Sequence, residues 1–76
     1  MKKVLSKLKK GQSGSILEIN IEELRRKMHL LELGITRGTK IKIKKNSLSG
    51  TLISIEIRGY ELCISKIDAD KILVNV

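Results

Sequence analysis

The isoleucines of this chain alternate with polar residues, and that habit constrains its fold more than any other feature. Thr39-Lys40-Ile41-Lys42-Ile43-Lys44 sets Ile41 and Ile43 on one side of an extended chain and three lysines on the other. Successive side chains of a strand point to opposite faces, so a period of two marks a strand with one buried face. Ile53, Ile55 and Ile57 repeat the pattern with Ser54, Glu56 and Arg58 outward. Tyr60, Leu62 and Ile64 then alternate with Glu61, Cys63 and Ser65, and the Arg58-Gly59 step between the two runs reads as a tight hairpin. Ser15-Ile16-Leu17-Glu18-Ile19 supplies a short first strand, and Ile72, Val74 and Val76 a closing one.

The period changes once. Ile21, Leu24, Met28 and Leu31 recur three or four residues apart, one stripe of an amphipathic helix. Asn20 stands where an N-cap is expected, Glu22 and Glu23 suit the positive end of the helix dipole, and Gly34 occupies the usual C′ place. The spacing predicts a helix over residues 21–33. Leu30 and Leu33 fall off the stripe: either the sheet wraps the last turn and buries them, or they offer an apolar patch to a partner. Residues 67–71 are short and polar enough for a single helical turn. Five strands, with the long helix between the first and second, predict a mainly β domain shaped as a small, partly open barrel, because closure hides sheet edges.

With 76 residues, the whole chain (1–76) is one domain. Its thin core leaves little room for a deep pocket around a buried catalytic group. Nucleophilic catalysis needs a nucleophile, a base and an orienting group together. His29 and Cys63 are the sole histidine and the sole thiol, and they belong to different elements. The pairs Glu22 with Glu23 and Asp68 with Asp70 read as helix-start and turn residues. Gly11-Gln12-Ser13-Gly14 lacks the spacing and the Lys-Ser/Thr of a phosphate loop. One histidine and one cysteine make no dedicated metal cage. The expectation is a protein that is not an enzyme, with no cofactor, no metal site and no small-molecule substrate.

A lone cysteine excludes an intrachain disulfide. The basic start is not followed by the apolar stretch of a signal peptide, and no apolar run nears the roughly 18 residues that cross a bilayer. A cytoplasmic location is expected.

Charge is the strongest compositional signal: 16 basic against 8 acidic residues, a net of +8. Five lysines lie in the first ten residues, Arg25, Arg26 and Lys27 lie on the helix, and Arg37, Lys40, Lys42, Lys44 and Lys45 lie on and beside the second strand. Such charge draws anionic lipid, nucleic acid or an acidic protein face, and it also keeps a small domain soluble. Nucleic acid is the weakest of these partners. Tyr60, the only aromatic residue, cannot form a stacking platform, and no helix-turn-helix or RNP-type motif appears.

Four landmarks carry a family likeness. Leu5-Ser6-Lys7-Leu8-Lys9-Lys10-Gly11-Gln12-Ser13-Gly14-Ser15-Ile16 resembles the opening of the ferrous iron transport protein A (FeoA) family. Leu30-Leu31-Glu32-Leu33-Gly34-Ile35-Thr36-Arg37-Gly38 is similar to that family's most characteristic stretch. Gly59-Tyr60-Glu61-Leu62-Cys63-Ile64 and Ala69-Asp70-Lys71-Ile72-Leu73-Val74 match its last two landmarks, so the likeness runs from Leu5 to Val74. Two places depart from it. Arg37 stands where the family usually has proline, and Asn46-Ser47-Leu48-Ser49-Gly50-Thr51 replaces a loop that often carries proline and aspartate.

The resemblance implies an SH3-like five-stranded barrel with one helix between its first and second strands. It further implies a cytoplasmic accessory of bacterial ferrous iron uptake that binds the cytoplasmic part of the FeoB membrane permease and modulates transport. The same domain ends iron-responsive repressors, so a metal-responsive regulatory domain is one alternative and a basic nucleic-acid-binding barrel another. Expected partner contacts are Leu30, Leu33, Lys42, Lys44 and Leu48. The basic faces would favour encounter near the anionic inner face of the membrane, and an open strand edge would allow a homo-oligomer.

Overall fold

A computed structural model describes residues 1–46 and 50–76. Strand β1 (Lys2–Val4) leads into a 3-10 turn (Leu5–Lys7), then β2 (Ser13–Ile19), helix α1 (Leu24–Glu32), β3 (Lys40–Asn46), β4 (Leu52–Ile57), β5 (Tyr60–Ser65), the short helix α2 (Lys66–Ala69) and β6 (Ile72–Asn75). Alternation becomes pairing. Ile41 faces Ile57 and Ile43 faces Ile55 between β3 and β4, while Ile55 faces Leu62 and Ile53 faces Ile64 between β4 and β5. These side chains meet Ile16, Ile35, Ile72 and Val74 in one core, each of them 4% exposed or less apart from the half-buried Leu62.

Among the described residues six strands form a single antiparallel sheet in the order β1-β6-β2-β3-β4-β5, so the expected five-stranded barrel is corrected in count and in closure. The added strand, Lys2-Lys3-Val4, is too short and too charged to show an alternation. Pairing with β6 makes it a strand, and the Val76 N–H bond to the Met1 carbonyl at 2.8 Å extends the contact. Strands β1 and β5 end the sheet without pairing with each other. The 3-10 turn and α2 bridge its two ends instead: they touch, Ser6 hydrogen-bonds Asp70 between them, and Leu5 and Ala69 are fully buried.

Two bulges keep the isoleucines inward. In β2 the register against β6 slips between Ile16 and Glu18, so Leu17 is an extra residue and both Ile16 and Ile19 reach the core. In β3 the slip falls between Ile43 and Lys45, which makes Lys44 the extra residue. Glycine is needed at Gly14 because a Cβ there would lie 2.7 Å from the Asn75 carbonyl oxygen.

Helix α1 is shorter than the predicted 21–33 and turned the other way. Asn20 is not its cap: the Asn20 N–H bonds the Lys71 carbonyl at 2.7 Å, and Ile21 enters the core from extended chain at 6% exposure. The helix then starts after Glu23, with no side-chain cap. At its far end the prediction holds. Gly34 at φ 93° lets its own N–H reach the Leu31 carbonyl and the Ile35 N–H reach Leu30, both at 3.0 Å, a Schellman closure.

Candidate functional surfaces

With Ile21 outside the helix, Leu30 is the one residue of α1 that is buried, at 2% exposure, and Leu33 just beyond packs partly against the core. The sheet thus covers the side that Leu30 occupies. Leu24, Met28 and Leu31, expected inward, are 67%, 49% and 40% exposed. Residues four and three apart lie on one helical face, so they form a continuous apolar stripe turned to solvent. The helix is tethered at both ends: Arg26 pairs with Asp68 of α2, and the Tyr60 hydroxyl donates to the Leu33 carbonyl.

A second surface lies on the outward face of β3. The N–H of Gly11 reaches the Ile43 carbonyl at 2.9 Å, and the Ile43 N–H reaches the Gln12 carbonyl at 2.9 Å, which holds Lys10 beside the strand. Lys10, Lys42, Lys44 and Lys45 surround a shallow depression of about 360 Å³. Lys40, Lys42, Glu56 and Arg58 line an adjoining one of about 310 Å³, so Lys42 belongs to both. Lys44 Nζ is 3.3 Å from a Glu56 carboxylate oxygen, whereas Lys42 has no ion pair with any described residue.

Of the five expected contact residues, Lys42 and Lys44 thus share one surface. Leu30 is corrected: it is core, because the sheet wraps that side of the helix, and a partner cannot reach it. Leu33 is only partly accessible. Leu48 lies outside the described residues. The outward stripe was not legible in the sequence. The cap signal pointed the wrong way: Asn20, the better side-chain cap, precedes the helix start, whereas Glu23 holds the N-cap position and makes no side-chain cap bond.

Neither surface holds a catalytic constellation. His29 and Cys63 are both exposed and on different elements, and Ser54, facing outward in the pattern but buried, donates to Glu61 at 2.7 Å. Among the described residues no three His, Cys, Asp or Glu side chains group as metal ligands, and no helix is long and apolar enough to cross a membrane.

An open sheet of six described strands, with a helix displaying Leu24, Met28 and Leu31 and a strand displaying lysines, defines a small, mainly β domain. The chain belongs to the FeoA domain family, whose model matches residues 3–76. Among solved structures it is similar to an FeoA-like protein from Clostridium acetobutylicum, at 29% identity and a TM-score of 0.86, over 99% of this chain and 86% of that one. A Stenotrophomonas maltophilia FeoA complexed with zinc, described as an SH3 domain protein, shares the fold at 17% identity and a TM-score of 0.79, over 99% and 89% of the two chains. A manganese-dependent transcriptional repressor with manganese bound shares it at 17% identity and a TM-score of 0.90, over 97% of this chain and 36% of that one. No curated protein matches.

Proposed function

We propose that this chain is a binding accessory of ferrous iron uptake that docks on the cytoplasmic part of an FeoB-type membrane permease and modulates transport. Membership of the FeoA family supplies the iron connection. The observation that carries docking is the outward stripe of Leu24, Met28 and Leu31. Large apolar side chains cost free energy in water, about 1.5–3 kcal/mol each between the exposed and buried states. A helix that keeps three of them outward, while its own sheet holds only one leucine, is suited to a partner's apolar groove. Such a helix enters a groove through residues at i, i+4 and i+7, the spacing these three have. The domain acts in the cytoplasm on this reading, and it performs no chemistry itself.

The test is capture of the permease's cytoplasmic domain by the purified chain. Leu24→Asp with Met28→Asp should weaken capture at least about tenfold, equivalent to 1.4 kcal/mol or more. The thermal midpoint should fall by no more than a few degrees, because Leu24 is two-thirds exposed and Met28 about half exposed. Undiminished capture by that variant would remove the helix from the interface.

A further inference from the structure

We propose that the outward face of β3 is a docking surface for an anionic lipid bilayer. This goes beyond the permease reading and does not rest on it. The charge of the chain is sorted by place. Residues 1–12 and 38–65 carry ten of the 16 basic residues and two of the eight acids, whereas the remaining residues are balanced at six and six. The net charge of +8 thus comes from these two segments; Lys2 and Lys3 lie on β1 at the far edge of the sheet, whereas Lys40, Lys42, Lys44, Lys45 and Arg58 lie on and beside β3. The fold gathers it further, since the backbone bonds of Gly11 and Gln12 to Ile43 bring Lys10 against Lys42, Lys44 and Lys45. Across β3, Lys40 and Arg58 continue the cluster through the depression that shares Lys42. The two acids of these segments are already engaged: Glu56 with Lys44, and Glu61 with the Ser54 hydroxyl.

The shape of the cluster selects the occupant. Single-stranded nucleic acid needs aromatic faces for its bases, and the hydroxyl of Tyr60, the only aromatic residue, is committed to the end of α1. The two depressions are shallow and lined by lysine stems with Ile41 and Ile43, which gives no deep groove for a peptide. A bilayer asks for less. It presents a plane of negative headgroups, and several cations on one outward face each add to the attraction. Lysines two residues apart on a strand stand about 7 Å apart, so each can meet its own headgroup. No residue of α1 lines either depression, so the apolar stripe and this face are separate surfaces.

The experiment is co-sedimentation of the full chain with vesicles, without any permease present. At about 50 mM salt the chain should partition onto vesicles containing about one-third phosphatidylserine, and not onto pure phosphatidylcholine, and about 500 mM salt should release it. Lys42→Glu with Lys45→Glu should lower the partition at least about tenfold, while the charge-matched pair Lys66→Glu with Lys71→Glu should change it less than about threefold. All four positions are exposed, so both variants should keep the circular dichroism of the parent. Equal losses in the two variants would show that net charge alone, and not this face, draws the chain to lipid, and would overturn the proposal. So would absence of binding at low salt, or complete displacement from vesicles by an equimolar random oligonucleotide, which would assign the face to nucleic acid. Loss of vesicle binding leaves capture of the permease domain unaffected, so the two readings fail separately.

Discussion

At the scale of residues, Leu30 decides which way α1 faces. A helical wheel gives the phase of an apolar stripe but not its direction when leucines occupy both sides. Counting Ile21 as helical made Leu24, Met28 and Leu31 look like the inner face. Ile21 is buried from extended chain instead, and Leu30 takes the core position, aided by the Schellman closure that brings Ile35 beneath it. Leu30→Ala should therefore cost about 2–5 kcal/mol in a denaturant titration, and Leu24→Ala should stay within about 0.5 kcal/mol. The reverse order would put the helix back on the face that its pattern suggested. Arg37 is a second residue whose role no pattern announced. Its Nε donates to the Leu17 carbonyl at 3.0 Å, satisfying the extra residue of the β2 bulge. Proline, usual there in the family this chain resembles, has no donor to offer.

At the scale of elements, strands with one buried face were legible because their isoleucines alternate, and β3, β4 and β5 lie within two residues of where that alternation places them. The lysine face came with them, since outward residues follow from inward ones. Bulges were not legible: the pattern of β2 merely shows Ile16 and Ile19 three apart, which a helix start would show as well. The hairpin between β4 and β5 was visible as Arg58-Gly59, but not its strain. Both residues have positive φ, 51° and 87°, as a type I′ turn requires. Glycine bears this freely, whereas a residue with a long side chain gives up about 1–2 kcal/mol in the left-handed region. Asparagine tolerates that region better than most. Arg58→Asn should raise stability by about 0.5–1 kcal/mol, seen as a rise of a few degrees in the thermal midpoint of so small a domain. A fall would mean that the Arg58 contact with Thr39, 3.4 Å long, outweighs the turn.

At the scale of the whole molecule, the problem is how an open sheet guards its ends. An unpaired strand offers a row of N–H and C=O groups to any other chain. Strand β6, Ile72-Leu73-Val74-Asn75, is apolar enough to be a hazard, and β1 covers it with Lys2 and Lys3 on the new edge. Charged edge residues discourage further pairing, so three residues with almost no core of their own protect the sheet. Its place explains why β1 was invisible to periodicity: a three-residue edge strand with no fully buried side chain is too short to show an alternating face. Deleting residues 1–4 should then expose the β6 backbone. The shortened chain should sediment as larger species than the full chain at equal concentration, and the β6 amides should exchange faster with solvent. Lys2→Ser with Lys3→Ser removes the same two charges and keeps the strand, so its β6 amides should remain protected. If the deletion leaves both species size and amide exchange unchanged, β1 is an ornament of the sheet and the guard must lie elsewhere.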